Sequence, residues 1–113
     1  MNLKEETIQA ILSNGKGIAD IEWIGSEDIK IPIDNFWEIS DFVYDDGFGA
    51  QRIPADLVIV GKNWWLERTE YDGSEGWVFK EKPIEPTKAM KLKKIPLGMW
   101  DILIDLIERS ESD

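Results

Sequence analysis

The spacing of apolar residues near the start of the chain predicts a helix. Apolar side chains recur with the helical period between Leu3 and Ser13. Glu5 and Glu6 lie in the first turn, where the helix dipole favours acidic side chains, and Asn14 followed by Gly15 provides a stop. We therefore expect an N-terminal helix over Leu3–Ser13.

Two short segments that follow alternate between apolar and polar residues, as strands with one buried face do. The first is Ile18–Ile24, with Ala19, Ile21 and Trp23 on one face, and the second is Ile29–Ile33. Because side chains alternate along a strand, both apolar sets share a face only if the loop between them holds an odd number of residues. Pro32 cannot donate to a strand ladder, which predicts a short or edge strand.

The middle of the chain predicts a helix and a central strand. Asp34–Phe42 has the composition of a short helix with Asp34 as its N-cap, although a continued strand is the alternative. Leu57–Val60 is apolar throughout, which is typical of a central strand covered on both sides.

A hairpin is predicted by Trp64–Tyr71 and Trp77–Lys82, which flank the turn sequence DGSE. A two-residue turn and a four-residue loop both remain possible, and both give the same two faces. Arg68 would lie over an aromatic ring on the core face. The core face holds Trp64, Leu66, Arg68, Trp77 and Phe79, and the other face holds Trp65, Glu67, Thr69, Tyr71, Val78 and Lys80.

The second hairpin face is the candidate binding surface. One interpretation is an ordinary solvent face on which the terminal helix partly covers Trp65. The other is a surface for a protein partner, with Trp65 and Tyr71 as rigid anchors and Glu67 and Lys80 between them. A platform for single-stranded nucleic acid would also use Trp and Lys, but the acidic residues of this hairpin disfavour it.

The last third of the chain predicts an extended segment and a final helix. Residues 83–96 are rich in Pro and Lys and read as an extended linker within a single domain of residues 1–113. The helix that follows is apolar over more than one narrow stripe. This suggests burial against a second copy, and hence a homodimer, with packing inside one chain as the alternative. The candidate residues for that contact are Met99, Trp100, Leu103 and Ile107. Together these elements predict an α+β fold: an antiparallel sheet of four to five strands, including two hairpins, with N-terminal, middle and C-terminal helices packed on it.

The amino-acid composition excludes several kinds of catalytic and metal-binding site. The chain of 113 residues has no Cys and no His, which excludes disulfides, thiolate metal sites and His-based catalysis. We expect no cofactor, no metal, no membrane contact and a cytoplasmic location. The net charge is −10, and residues 80–94 are locally basic, with 6 Lys against 2 Glu. Such an acidic body repels nucleic acid, so no direct nucleic-acid binding is expected.

A resemblance adds biological context. The stretch DDGFG followed by LVIVGKNWWLERTEYDGSEGWVFKEKP resembles small uncharacterised proteins encoded by phages and prophages of Gram-positive bacteria. It covers about residues 18 to 83 and implies expression in an infected or lysogenic host, with no functional residue carried over.

Three hypotheses of function follow from these patterns. The first is a non-enzymatic accessory protein of a phage or prophage that binds another protein. The second is an acidic DNA mimic or anti-defence inhibitor of the host nucleic-acid machinery, which requires a contiguous acidic stripe. The third is a carboxylate-based hydrolase, which requires a pocket with two or more carboxylates of raised pKa.

Overall fold

The fold is α+β: in the part of the chain that the structure describes, helices pack on one antiparallel sheet of five strands. The computed structural model describes residues 1–45, 51–92 and 102–106. The strand order in the sheet is β2-β1-β3-β4-β5. The elements are α1 (Leu3–Ser13), β1 (Ile21–Gly25), β2 (Lys30–Ile31), α2 (Ile33–Ile39), β3 (Val58–Gly61), β4 (Trp64–Tyr71) and β5 (Ser74–Glu81), with 3-10 turns at Ile18–Asp20 and Leu103–Leu106.

Helix α1 confirms the predicted span. Asn2 is its N-cap, and the side-chain Oδ1 of Asn2 accepts a hydrogen bond from the backbone N–H of Glu5 at 3.0 Å. The chain leaves the helix at Asn14 and then at Gly15, whose φ of +77° lies in the left-handed region that glycine adopts without strain.

Strand β1 differs from its predicted pattern, and the cause is a β-bulge. The register of β1 against β3 shifts between Ile21 and Trp23, so Ile21 and Ile24 both face the core. The expectation that Trp23 shares a face with Ile21 is therefore wrong. The bulge also makes the expectation of an odd number of loop residues wrong, because Ile24 pairs with Ile31 across a turn of four residues, 26–29.

Strand β2 and helix α2 are both shorter than the sequence predicts. The strand keeps only Lys30–Ile31, and it is an edge strand as Pro32 implied. A helix is present in the middle of the chain, but its span differs from the predicted Asp34–Phe42. It begins at Ile33 after Pro32 and ends at Ile39, so Asp34 lies inside its first turn and is not the N-cap. The N–H of Ser40 bonds the carbonyl of Phe36 at 2.9 Å and closes the last turn before Phe42.

The core lies between one face of the sheet, called here the inner face, and helices α1 and α2. Strand β3 is central, as its apolar run predicted, and its Ile59 pairs with Leu66 of β4 and Ile24 of β1. Phe36 from α2 and Ile11 from α1 join the same buried cluster. Burying such side chains contributes about 1.5–3 kcal/mol each, so this layer supplies most of the stability of the sheet.

By its internal packing the chain divides into two compact units, Met1–Lys82 and Pro83–Asp113. The first unit contains the sheet and both α-helices. In the second unit, residues 83–91 carry neither helix nor strand, and Leu103–Leu106 form a 3-10 turn. The rest of the predicted C-terminal helix lies outside the described residues.

Candidate functional site

The β4–β5 hairpin carries the candidate site, and a two-residue turn sets its register. Tyr71 pairs with Ser74, so Asp72 and Gly73 alone form the turn. Their φ angles of +53° and +85° are those of a type I′ turn, which matches the twist of the flanking strands. The carboxylate of Glu70 accepts the N–H of Gly73 at 2.7 Å and secures the turn. Of the two registers open from the sequence, the structure has the two-residue turn.

On the outer face of the hairpin, three of the four candidate binding residues touch one another. Trp65 pairs directly with Lys80 across the strands. The carboxylate of Glu67 accepts the indole N–H of Trp65 at 2.6 Å and contacts the ammonium of Lys80 at 3.1 Å. The indole hydrogen bond, followed by the Lys80 contact, lowers the pKa of Glu67. Trp65 is half-buried, and its ring is held in one orientation by this contact.

Tyr71 stands apart from that trio. It lies on the same face, but six residues along β4 from Trp65, which is about 20 Å at the rise of an extended strand. Its side chain is 84% exposed, the highest value among the aromatic residues that the structure describes. Val78, also on this face, is 37% exposed. The outer face therefore has an ordered aromatic and charged cluster at one end and a free aromatic ring at the other.

On the inner face, Arg68 is a buried cation. Its side chain has no solvent exposure, and its guanidinium carbon lies 4.6 Å from the ring centre of Trp77. The predicted contact of Arg68 with an aromatic ring is confirmed, and it is buried. The Nη1 nitrogen of the guanidinium contacts Glu6 at 3.5 Å, and the Nη2 nitrogen contacts Glu75 at 3.4 Å and Tyr44 at 3.0 Å. A buried charge is tolerated only when it is paired in this way.

Glu75 links this cation to the segment that precedes β3. Its carboxylate accepts the backbone N–H of Arg52 at 2.6 Å and that of Ile53 at 3.1 Å. The Glu75 side chain is 1% exposed, so these bonds and the pair with Arg68 replace its lost hydration. Glu75 thus joins the hairpin to residues 52–53.

Tyr44 and Thr7 complete the buried cluster. The Tyr44 hydroxyl donates to Glu6, and burial, reinforced by this bond, raises the pKa of Tyr44 to about 12, with Arg68 acting in the opposite direction. The Thr7 hydroxyl donates to the Leu3 carbonyl at 2.7 Å and accepts the indole N–H of Trp77 at 2.9 Å. Helix α1 is therefore attached to the hairpin through polar as well as apolar contacts.

The ion pairs that acidic residues form within the fold bear on the DNA-mimic hypothesis. Glu6 and Glu75 pair with Arg68 inside the fold, Glu67 pairs with Lys80, and Glu81 pairs with Lys16 at 3.1 Å. These four carboxylates are therefore engaged within the chain. A phosphate-like stripe would have to be formed by other acidic residues.

The candidate dimer residues lie mostly beyond what the structure describes. Met99, Trp100 and Ile107 are outside the described residues, whereas Leu103 lies in the 3-10 turn Leu103–Leu106 and is exposed. The homodimer and the covering of Trp65 by a terminal helix stay predictions.

Residues 1–45, 51–92 and 102–106 contain no group of three or more Asp or Glu side chains placed to hold a metal ion. No helix among them combines the length and the apolar character needed to cross a bilayer.

Sequence reasoning found the two faces of the hairpin but missed the partners of Arg68. Glu6 and Tyr44 come from distant parts of the chain, and no local pattern indicates them. Glu75 did carry a signal, because alternation along β5 places it on the same face as Trp77. Comparison of the chain with protein-family models, with curated proteins and with solved structures found no match.

Proposed function

We propose that this protein is a phage or prophage accessory protein that acts by binding another protein through the outer face of its β4–β5 hairpin. The observation that carries this proposal is the Tyr71 side chain, a large aromatic ring that is 84% exposed on a regular strand. Tyrosine is enriched in interfaces because its rigid ring contributes a large contact area at low cost in side-chain entropy.

The rest of the face fits the same role. Trp65 is hydrogen-bonded to Glu67, which is itself paired with Lys80, so the Trp65 ring loses little freedom when a partner covers it. The span of about 20 Å from Trp65 to Tyr71 matches the size of a standard interface, which buries about 800 Å² on each partner. Glu67 and Lys80 offer the partner one charge of each sign at the end of the face away from Tyr71.

Affinity capture from a lysogenic host tests the proposal with three forms of the protein. Tyr71→Ala should lower the recovery of a specific partner at least tenfold, since an aromatic anchor of an interface is worth about 2 kcal/mol or more. Ile29→Ala is the matched control, because Ile29 is also a large exposed side chain but lies in the β1–β2 turn. Equal recovery of the same proteins by wild type and both variants would defeat the proposal.

A further inference from the structure

A second surface of the first unit is an apolar groove on the side of α2. Its floor consists of four buried side chains, and its rim includes Ile39 and Phe42, which are 55% and 43% exposed. Val43, next to the rim in the chain, is 75% exposed. The floor residues are Leu3, Phe36, Ile53 and Leu57. Contiguous exposed apolar surface of this kind marks interaction sites in soluble proteins.

The size of the groove sets the size of what it can hold. Its volume is about 170 Å³. An apolar cavity of about 150 Å³ accommodates benzene, whereas sites for drug-sized ligands begin at about 300 Å³. The groove therefore fits a single large apolar side chain, such as Phe or Leu.

The charge at the groove determines which charged group its ligand should carry. Arg52 is the one charged residue among those that line the groove in the described part of the chain. No carboxylate of the described residues forms an ion pair with its guanidinium. The guanidinium of an arginine offers a fork of donors that matches a carboxylate.

The groove wall that carries Arg52 is held in place from the buried cluster. Glu75 binds the backbone N–H groups of Arg52 and Ile53, and Arg68 in turn binds Glu75. The backbone is therefore fixed before any ligand arrives at both parts of the groove, the apolar floor at Ile53 and the cation at Arg52. Such preorganisation lowers the entropic cost of binding.

We propose that this groove binds the C-terminal residue of a partner protein, with a Phe or Leu side chain on the apolar floor and the terminal carboxylate on Arg52. A chain terminus supplies both groups from one residue, which suits a groove that has room for one side chain and one cation. The assignment does not depend on the outer face of the hairpin, and either surface can function without the other.

The test is a titration followed by the NMR amide signals of Ile39, Phe42, Ile53 and Leu57. The probes are acetyl-Ala-Ala-Phe with a free carboxylate and the same peptide as its C-terminal amide. We expect saturable shifts at these four residues, and about fivefold weaker binding of the amide, the most that an exposed ion pair contributes. Arg52→Gln should lower the affinity for the acid to that for the amide.

Two further variants and one competing ligand make the titration decisive. Lys62→Gln removes one positive charge at an exposed site in the β3–β4 turn and should leave the preference for the acid unchanged. Ile39→Ala should weaken the binding of both peptides to the same extent, because it removes part of the apolar rim. Equal affinities for acid and amide, no shifts at the four residues, or tighter binding of decanoate than of the peptide acid would each overturn the assignment.

Discussion

The buried ion cluster makes a sharp prediction for Glu75. Glu75→Ala removes one of the two carboxylates that pair with Arg68 and the acceptor for two backbone N–H groups. Breaking a buried ion pair costs about 3–5 kcal/mol, and an unsatisfied buried donor costs about 1–3 kcal/mol. Of the two N–H groups only that of Ile53 is fully buried, so the sum is about 4–8 kcal/mol. Because Arg68 keeps Glu6 and the ring of Trp77, we expect a loss at the lower end of this range, about 4 kcal/mol.

Glu75→Gln separates the two contributions. The amide keeps an oxygen for the backbone N–H groups but loses the charge, so we expect a smaller loss of about 2 kcal/mol. In an Arg68→Met background, Glu75→Ala should remove only the backbone share, about 1 kcal/mol. The coupling between the two side chains is then about 3 kcal/mol.

Urea unfolding followed by tryptophan fluorescence measures these losses, since the chain has six Trp. Glu38→Ala is the matched control, because Glu38 is an exposed acid on α2 and its replacement should stay within about 0.5 kcal/mol. If Glu75→Ala destabilises the protein no more than Glu38→Ala does, Glu75 contributes no net stability and the reasoning is refuted.

Three more predictions follow from the same structure. Tyr44 and Tyr71 are the two tyrosines of the chain, so in Tyr71→Phe the ultraviolet absorbance of tyrosinate should report Tyr44 alone, with a midpoint near pH 12. Since the folded pKa of Tyr44 is raised from 10.0, the stability it contributes is complete below pH 10 and falls by about 2–3 kcal/mol as the pH rises to 12, which urea unfolding at each pH can check. Gly61→Ala should destabilise the protein by about 1–3 kcal/mol in thermal unfolding, because its Cβ would lie 2.1 Å from the buried indole of Trp64. Gly73→Ala should lower the unfolding midpoint by the equivalent of about 1–2 kcal/mol, since alanine is strained at a φ of +85°.

The features that the sequence predicts well are those set by local periodicity. The span of α1 follows from its cap and its apolar spacing, and the two faces of the hairpin follow from strict alternation between Trp64 and Phe79. These rules hold because a helix or a paired strand repeats the same geometry at each residue. The class of the fold and the number of strands follow from the same patterns.

The features that the sequence does not predict depend on contacts between distant elements. The bulge between Ile21 and Trp23 inverts the expected faces of β1 only from Trp23 onward, and neither residue is of a type that marks a bulge. The cluster around Arg68 brings together residues as far apart as Glu6 and Arg68, which lie 62 positions apart in the chain. The groove needs walls from α1, α2 and the segment before β3, so no single stretch indicates it.

The place of β5 at the edge of the sheet has a consequence for how copies of the protein behave together. Among the described strands only β4 pairs with it, so one side of an eight-residue strand without Pro or bulge has no strand partner. Such edges are templates for edge-to-edge aggregation, which charged residues and like charge between molecules oppose. Lys80 and Glu81 lie on this strand, and the net charge of −10 makes copies repel one another. Colloidal stability should therefore decline with added salt, because screening removes the repulsion and leaves the strand edge unchanged.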